Sequence, residues 1–255
     1  LAAPALAEEQ PSRDALEMQG GCPGCDLNLG EYRTVSITSA DFSDTLLRSA
    51  DLKNAVLVEA NFRGADLRRV ELEDAVLAAS DFTGALLRGA DFEKTRAAAA
   101  IFVGVDAREA DFANFEGRGT DFTGADMRYA YFRRSIMVDA DLTEVDARHA
   151  DFERASLDGA VLRDAQLDRA DLDRVSLQNA DLTDASLAGA RLTSADLSGA
   201  DLSGTDVEGA LFRRTNLSGA DLSRARRLTQ DQLDLACGDA ETVLPEGLTL
   251  KTCGE

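Results

Sequence analysis

From residue 25 to residue 225 the chain repeats a five-residue unit without losing phase. A period of five fits neither the 3.6-residue turn of an amphipathic helix nor the two-residue alternation of a strand. It fits a coil with four short sides, five residues to a side, in which two of each five face inward. The larger inward residue falls on numbers ending in 2 or 7, from Leu27 to Leu222, and is mostly Leu or Phe. The smaller falls on numbers ending in 0 or 5 and is mostly Ala. Every Phe except Phe115 keeps the large register, while the other three positions carry Asp, Arg, Ser, Thr and Gly. One phase held for this long is the mark of a repeat architecture.

A second period, of twenty, supports four sides. Phe42, Phe62, Phe82, Phe102 and Phe122 are each twenty apart, as are Phe92, Phe112, Phe132 and Phe152. They predict two aromatic ladders on opposite sides of the coil, with offset rings in contact. Where both ladders are Phe, the other sides should shrink to conserve interior volume, as Ala97, Ala107 and Gly117 do. Phe115 then fills the space that Gly117 leaves.

The unit (Ala/Thr/Val)-(Asp/Asn)-(Leu/Phe)-x-x, as in Ala180-Asp181-Leu182-Thr183-Asp184, resembles the pentapeptide-repeat family. The resemblance covers about four-fifths of the chain and implies a right-handed quadrilateral parallel β-helix. Twenty residues per coil gives about ten coils, and a rise of about 4.8 Å per coil gives a rod roughly 45–50 Å long. Each coil buries its large residues on its neighbours, so both ends need caps.

Four segments follow from this reading. Residues 1–7, Leu-Ala-Ala-Pro-Ala-Leu-Ala, resemble the end of a secretory signal peptide. Residues 8–21 form a leader, with a short helix from Arg13 to Met18 capped by Ser12 and placed over the first coil. Residues 22–225 are the repeat body, and all four prolines lie outside its regular quintets. Residues 226–255 break the period. There Thr229 and Gln232 have capping-box spacing, which predicts a helix of about two turns to Cys237, stopped by Gly238 and followed by a loop.

Cys22-Pro23-Gly24-Cys25 fits a redox pair, half a zinc site or a local disulfide. Zinc would need two more ligands, and Cys237 and Cys253 belong to the far end of the rod. A thioredoxin-type pair would need a strand–helix context that is missing. A structural Cys22–Cys25 disulfide is the favoured reading, with free thiols as the alternative. A Cys237–Cys253 bridge would tie down the C-terminal loop, and this tail resembles the C-terminal segment of some exported bacterial pentapeptide-repeat proteins.

There are 47 acidic and 27 basic residues, a net charge of −20. Asp41, Asp81, Asp121, Asp141, Asp181, Asp201 and Asp221, with Asn61, mark one edge; Asp51, Glu71, Asp91, Asp111, Asp151 and Asp171 mark another. Nucleic acid and anionic membrane are therefore poor partners, and no stretch is apolar enough to span a bilayer. Against this background Arg48, Arg68, Arg88, Arg108, Arg128 and Arg148 recur at period twenty as a column. Asp66, Asp106, Asp126 and Asp146 lie two residues before four of them; Asp51, Glu71, Asp91, Asp111 and Asp151 lie three after five. The column reads as a stripe for an extended acidic ligand or, preferably, as a salt-bridge zipper.

His149 is the one histidine, at an outward position, and no nucleophile elbow, P-loop or zinc-protease motif occurs. No cofactor or metal is expected, and the chain reads as non-catalytic. The favoured function is an exported interaction rod in a bacterial periplasm, binding a protein partner, with pairing of two rods as a homodimer left open. The family resemblance implies an alternative: some cytoplasmic members mimic DNA and bind gyrase. Rod length and charge agree with that. The signal-like start, the paired cysteines and the Arg column disagree.

Overall fold

The computed structural model describes residues 10–254. The signal-peptide reading of residues 1–7 and the first two residues of the leader lie outside them. From Gly21 onward the chain forms parallel single-residue bridges between positions twenty apart, beginning Gly21↔Asp41 and ending Asp206↔Arg226. Each coil therefore closes after four quintets, giving a four-sided parallel β-helix. No side is an extended strand; each contributes one bridge residue and then a turn.

The backbone hydrogen bonds explain why five residues suffice for a side. In the quintet that starts at Asp41, Phe42 N–H donates to the Asn61 carbonyl (2.7 Å) and Asp44 N–H to the Arg63 carbonyl (2.9 Å), both on the next coil. Thr45 N–H closes the turn onto the Phe42 carbonyl (3.3 Å), and Asp41 N–H reaches back to Gly20 (2.9 Å). Only Ser43 N–H has no backbone acceptor, and Asp41 Oδ1 takes it at 3.0 Å. A buried backbone donor without a partner is costly, so Asp or Asn at the bridge position completes the backbone accounting. The same bond recurs from Asp81 to Thr83 (2.8 Å) and from Asp181 to Thr183 (3.0 Å). Much of the ordered acidity thus serves the turns.

Each turn also turns the chain through a corner, and this requires one left-handed residue. Every residue numbered with a final 4 or 9, from Gly24 to Gly219, has φ of 52–73°. Glycine, Asn and Asp adopt that region readily. Leu29, Thr34 and Tyr129 do so as well, and the stacked coils hold them there.

Both inward registers are sealed. Leu182, Phe102 and Ala180 are at most 1% exposed, like nearly all residues of the two registers. The Phe ladders stack along the rod at 4.5–5.3 Å between ring centroids, and across it they meet edge to face, as Phe82 and Phe92 do at 5.9 Å. Volume conservation holds where Gly117 meets Phe115: a Cβ on Gly117 would lie 2.1 Å from Phe115 Cε1. Gly30 yields to Tyr32 in the same way, at 2.1 Å from Cε2. The general trimming rule is too strict, however. Met127 and Met137, fully buried, share a coil with Phe122 and Phe132, because unbranched thioether chains thread into gaps a branched chain would not fill.

Where Thr or Ser replaces Ala inside, its hydroxyl needs an acceptor. Thr45, Ser80, Thr95, Thr205 and Thr215 each donate to a carbonyl on the preceding coil at 2.7–2.9 Å. Ser135 Oγ and Tyr32 Oη, both buried, have no such partner.

The ends are closed differently. Helix α1, Arg13–Gln19, runs one residue longer than expected; Ser12 Oγ accepts from Ala15 N–H, and Gly20 ends it in the left-handed conformation. Leu16 plugs the first coil at 1% exposure. Helix α2 is only Gln230–Leu233, one turn rather than two, and Gly238 does not stop it. The chain is drawn back into the ladder: Cys237 pairs with Asn216 and Val243 with Asp221, at spacings of 21 and 22, one extra residue being taken up before Cys237, where the helix lies, and a second between Cys237 and Val243. Gly238 pairs with Thr252, so the tail is a pleated lid rather than a free loop.

Candidate interaction surfaces

The four sides repeat every twenty residues, so each face has its own chemistry. The first, running from residue 41, is the acidic face. Its carboxylates are committed to turns, and the Ser43 hydroxyl and N–H hold Asp41 below the usual carboxylate range.

The second face, from residue 46, carries the Arg column. Arg68 grips Asp66 through Nε (2.8 Å) and Nη2 (2.6 Å), and Arg108, Arg128 and Arg148 grip Asp106, Asp126 and Asp146 with the same two-pronged geometry. Arg108 and Arg128 also approach the next coil's Asp at 3.5 Å. At these four of its six positions the column is a zipper. Arg68 and then Arg48 hold the Asp66 carboxyl below its ordinary range, against the effect of its burial. His149 stacks on Tyr129 at 4.9 Å, nearly parallel, on the same face.

The second set of acids expected to serve the column does not. Asp51 binds Arg33 (2.5 Å), Glu71 binds Lys53 (3.3 Å) and Asp151 binds Arg133 (2.5 Å). A corner separates residues three after each Arg from the column, so these carboxylates project from the third face. There Asp91 and Asp111 have no ion pair among the described residues, and burial, with Asp111 and Glu73 nearby, pushes the Asp91 carboxyl up.

The fourth face, from residue 56, escaped the sequence reading. Val56, Val58, Val76, Ala78, Ala98, Ile136 and Val138 occupy its outward positions. Val56 is 38% exposed and Ile136 46%. A shallow depression of about 360 Å³ lies between Val76 and Ile136, lined also by Ala78 and Ala98 and by the charged Arg96, Glu116 and Arg118. The signal was apolar residues at outward positions with period twenty, hidden by the more regular Asp and Arg series.

At the two ends, Cys22 and Cys25 lie within disulfide-bonding distance, with Cα atoms 5.6 Å apart, as do Cys237 and Cys253 at 4.8 Å. No helix among the described residues is long and apolar enough to cross a membrane.

The family described as Pentapeptide repeats matches in eight copies, over residues 36–74, 71–106, 100–137, 135–174, 170–209 and 190–226. Among solved structures, the chain is similar to HetL, a pentapeptide repeat protein involved in heterocyst differentiation regulation in the cyanobacterium Nostoc sp. strain PCC 7120. Identity is 27% over 77% of this chain and 89% of HetL, with a TM-score of 0.53. A pentapeptide repeat protein from the thylakoid lumen of Arabidopsis thaliana is 32% identical over 48% of this chain and 79% of its own, at a TM-score of 0.33. QnrB1, a plasmid-mediated fluoroquinolone resistance protein, is 20% identical over 85% of this chain and 93% of its own, at 0.42. No protein of curated function matches significantly. With its repeat matched by the family over most of its length and its coils closing after four quintets, the chain belongs to the pentapeptide-repeat family.

Proposed function

We propose that the chain is a non-catalytic, extracytoplasmic interaction rod of about ten coils, which docks a protein partner along its fourth face. The uncovered apolar stripe from Val56 to Val138 carries this reading. In a chain of net charge −20, exposed Val and Ile side chains grouped on one face, with Arg96, Glu116 and Arg118 among them, invite a partner. Two cysteine pairs at disulfide-bonding distance support an oxidising compartment such as the periplasm.

A photo-crosslinking side chain at Ala98, in living cells, should trap one protein, while the same group at Ser203 on the acidic face should not. Equal trapping from both, or from neither, contradicts the reading. The alternative, a DNA-mimicking gyrase binder, draws on the acidic face. Its test is inhibition of gyrase supercoiling by purified protein. The Arg column, which breaks up a uniform anionic surface, and the two cysteine pairs weigh against it.

A further inference from the structure

The Arg column is not uniform, and its first three coils, where Arg68 alone has a zipper Asp of its own, have the properties of a binding site. The zipper needs an Asp at each bridge position. Two coils have lost it: Leu46 and Leu86 stand where Asp66, Asp106, Asp126 and Asp146 stand elsewhere. Arg48 therefore crosses to Asp66 on the next coil, at 2.6 Å, where it shares the one carboxylate with Arg68. Arg88 reaches out to Glu109, also at 2.6 Å, whose side chain is 54% exposed. Arg69 is added at the turn, where neighbouring coils have Ser49 and Gly89, and it makes no ion pair among the described residues. Four guanidinium groups thus share two carboxylates. They line a concavity of about 460 Å³, with the small side of Gly89 leaving its mouth open.

We propose that this groove binds a compact, free, phosphate-bearing dianion. The charge excess of two positive groups matches a phosphate monoester, which carries about two negative charges near neutrality; pyrophosphate, somewhat more highly charged, is a compact probe of the same chemistry. Guanidinium forks match such oxygens in pairs. The groups rise in steps of one coil along the rod. A tetrahedral oxyanion can share its oxygens between two steps, whereas one carboxylate is saturated by two Arg, as Asp66 shows. The flanking acidic faces disfavour a phosphate presented on an anionic membrane surface. The site is independent of the partner proposed for the fourth face.

The test is calorimetric titration of the purified full chain with inorganic pyrophosphate at low salt, with succinate as the dicarboxylate control. Saturable binding of pyrophosphate, weaker at 0.5 M NaCl and at least about tenfold tighter than succinate, is expected. Leu86→Asp restores the zipper pattern in a register that four other coils already use, so the fold is kept, and it should weaken binding about tenfold or more. Arg69→Gln should weaken it similarly, and Arg148→Gln should leave it unchanged. Absence of pyrophosphate binding overturns the proposal, as does binding indifferent to Leu86→Asp and Arg69→Gln. Co-sedimentation with vesicles of 20% phosphatidic acid in phosphatidylcholine, without pyrophosphate binding, overturns it in favour of a lipid surface.

Discussion

Phe115 and Gly117 should behave as one unit. Phe115 occupies a position that is Ala in most quintets, and its ring fills the place where Gly117 would otherwise carry a Leu. The ring is fully buried and held edge-on by Phe112 at 5.2 Å, Phe102 at 6.1 Å and Phe122 at 6.4 Å. Phe115→Ala alone opens a cavity in rigid surroundings and should cost about 3–5 kcal/mol. Gly117→Leu alone drives a side chain into the ring, since even its Cβ lies 2.1 Å from Cε1. With no free direction for the ring, that should cost at least the upper part of the 1–3 kcal/mol range for overpacking. The double variant recreates the Ala-x-Leu quintet found throughout the body, a volume-conserving exchange that should cost less than about 1.5 kcal/mol. The two substitutions should therefore rescue one another by roughly 3 kcal/mol or more. Urea unfolding of the four proteins measures this, provided their m values agree. Additive costs, or a harmless Gly117→Leu, would refute the filling argument.

The other expectations follow from the same bookkeeping. Ser135→Ala and Tyr32→Phe each remove a buried hydroxyl without a partner and should raise stability by up to about 1 kcal/mol, read as higher urea midpoints, whereas Thr205→Ala should lower it. Asp66 has its folded-state pKa depressed by Arg68 and Arg48. It stabilises the fold above the unfolded-state value near 4 and loses that contribution as pH falls through its lower folded value. Asp66→Asn should thus be destabilising at pH 7 and converge with the parent in strong acid, as followed by thermal melts. Asp91 has the opposite shift, so Asp91→Asn should be stabilising at pH 7 with the gain vanishing below about pH 4. Asn already accepts the same turn bond at Asn61 and Asn216. Replacing Cys237 and Cys253 by Ser should release the lid, costing about 3 kcal/mol in the chain-entropy picture for a separation of 16 residues. Amide exchange should quicken at Gly238 and stay slow at Leu182.

The core was legible because it is periodic. Leu182 and Phe102 follow from a count modulo five, and the Phe ladders from a count modulo twenty. Helix α1 was legible because Ser12 caps it locally. What stayed hidden depends on contacts between coils. The left-handed residue in each turn is set by the corner, not by the side chain that occupies it, so Thr34 gives no local warning. The acids at Asp51 and Asp151 looked like partners of the Arg column because sequence distance ignores the corner between faces. Helix α2 was overextended because nothing local reveals that Cys237 is recaptured by Thr215 on the coil beneath. On the second face the sequence showed a regular Arg series; only the substitutions Leu46 and Leu86, seen beside Arg69, divide it into a zipper and a groove.

Four walls per coil is the claim on which faces, ladders and groove all depend. Nitroxides placed through unnatural amino acids at Thr143 and at one of Asp158, Arg163 or Asp168 would measure it while leaving the cysteines untouched. Closure after four quintets predicts the strongest dipolar coupling for positions 143 and 163. Stronger coupling for 143 with 158, or with 168, would mean three walls or five and would contradict the account.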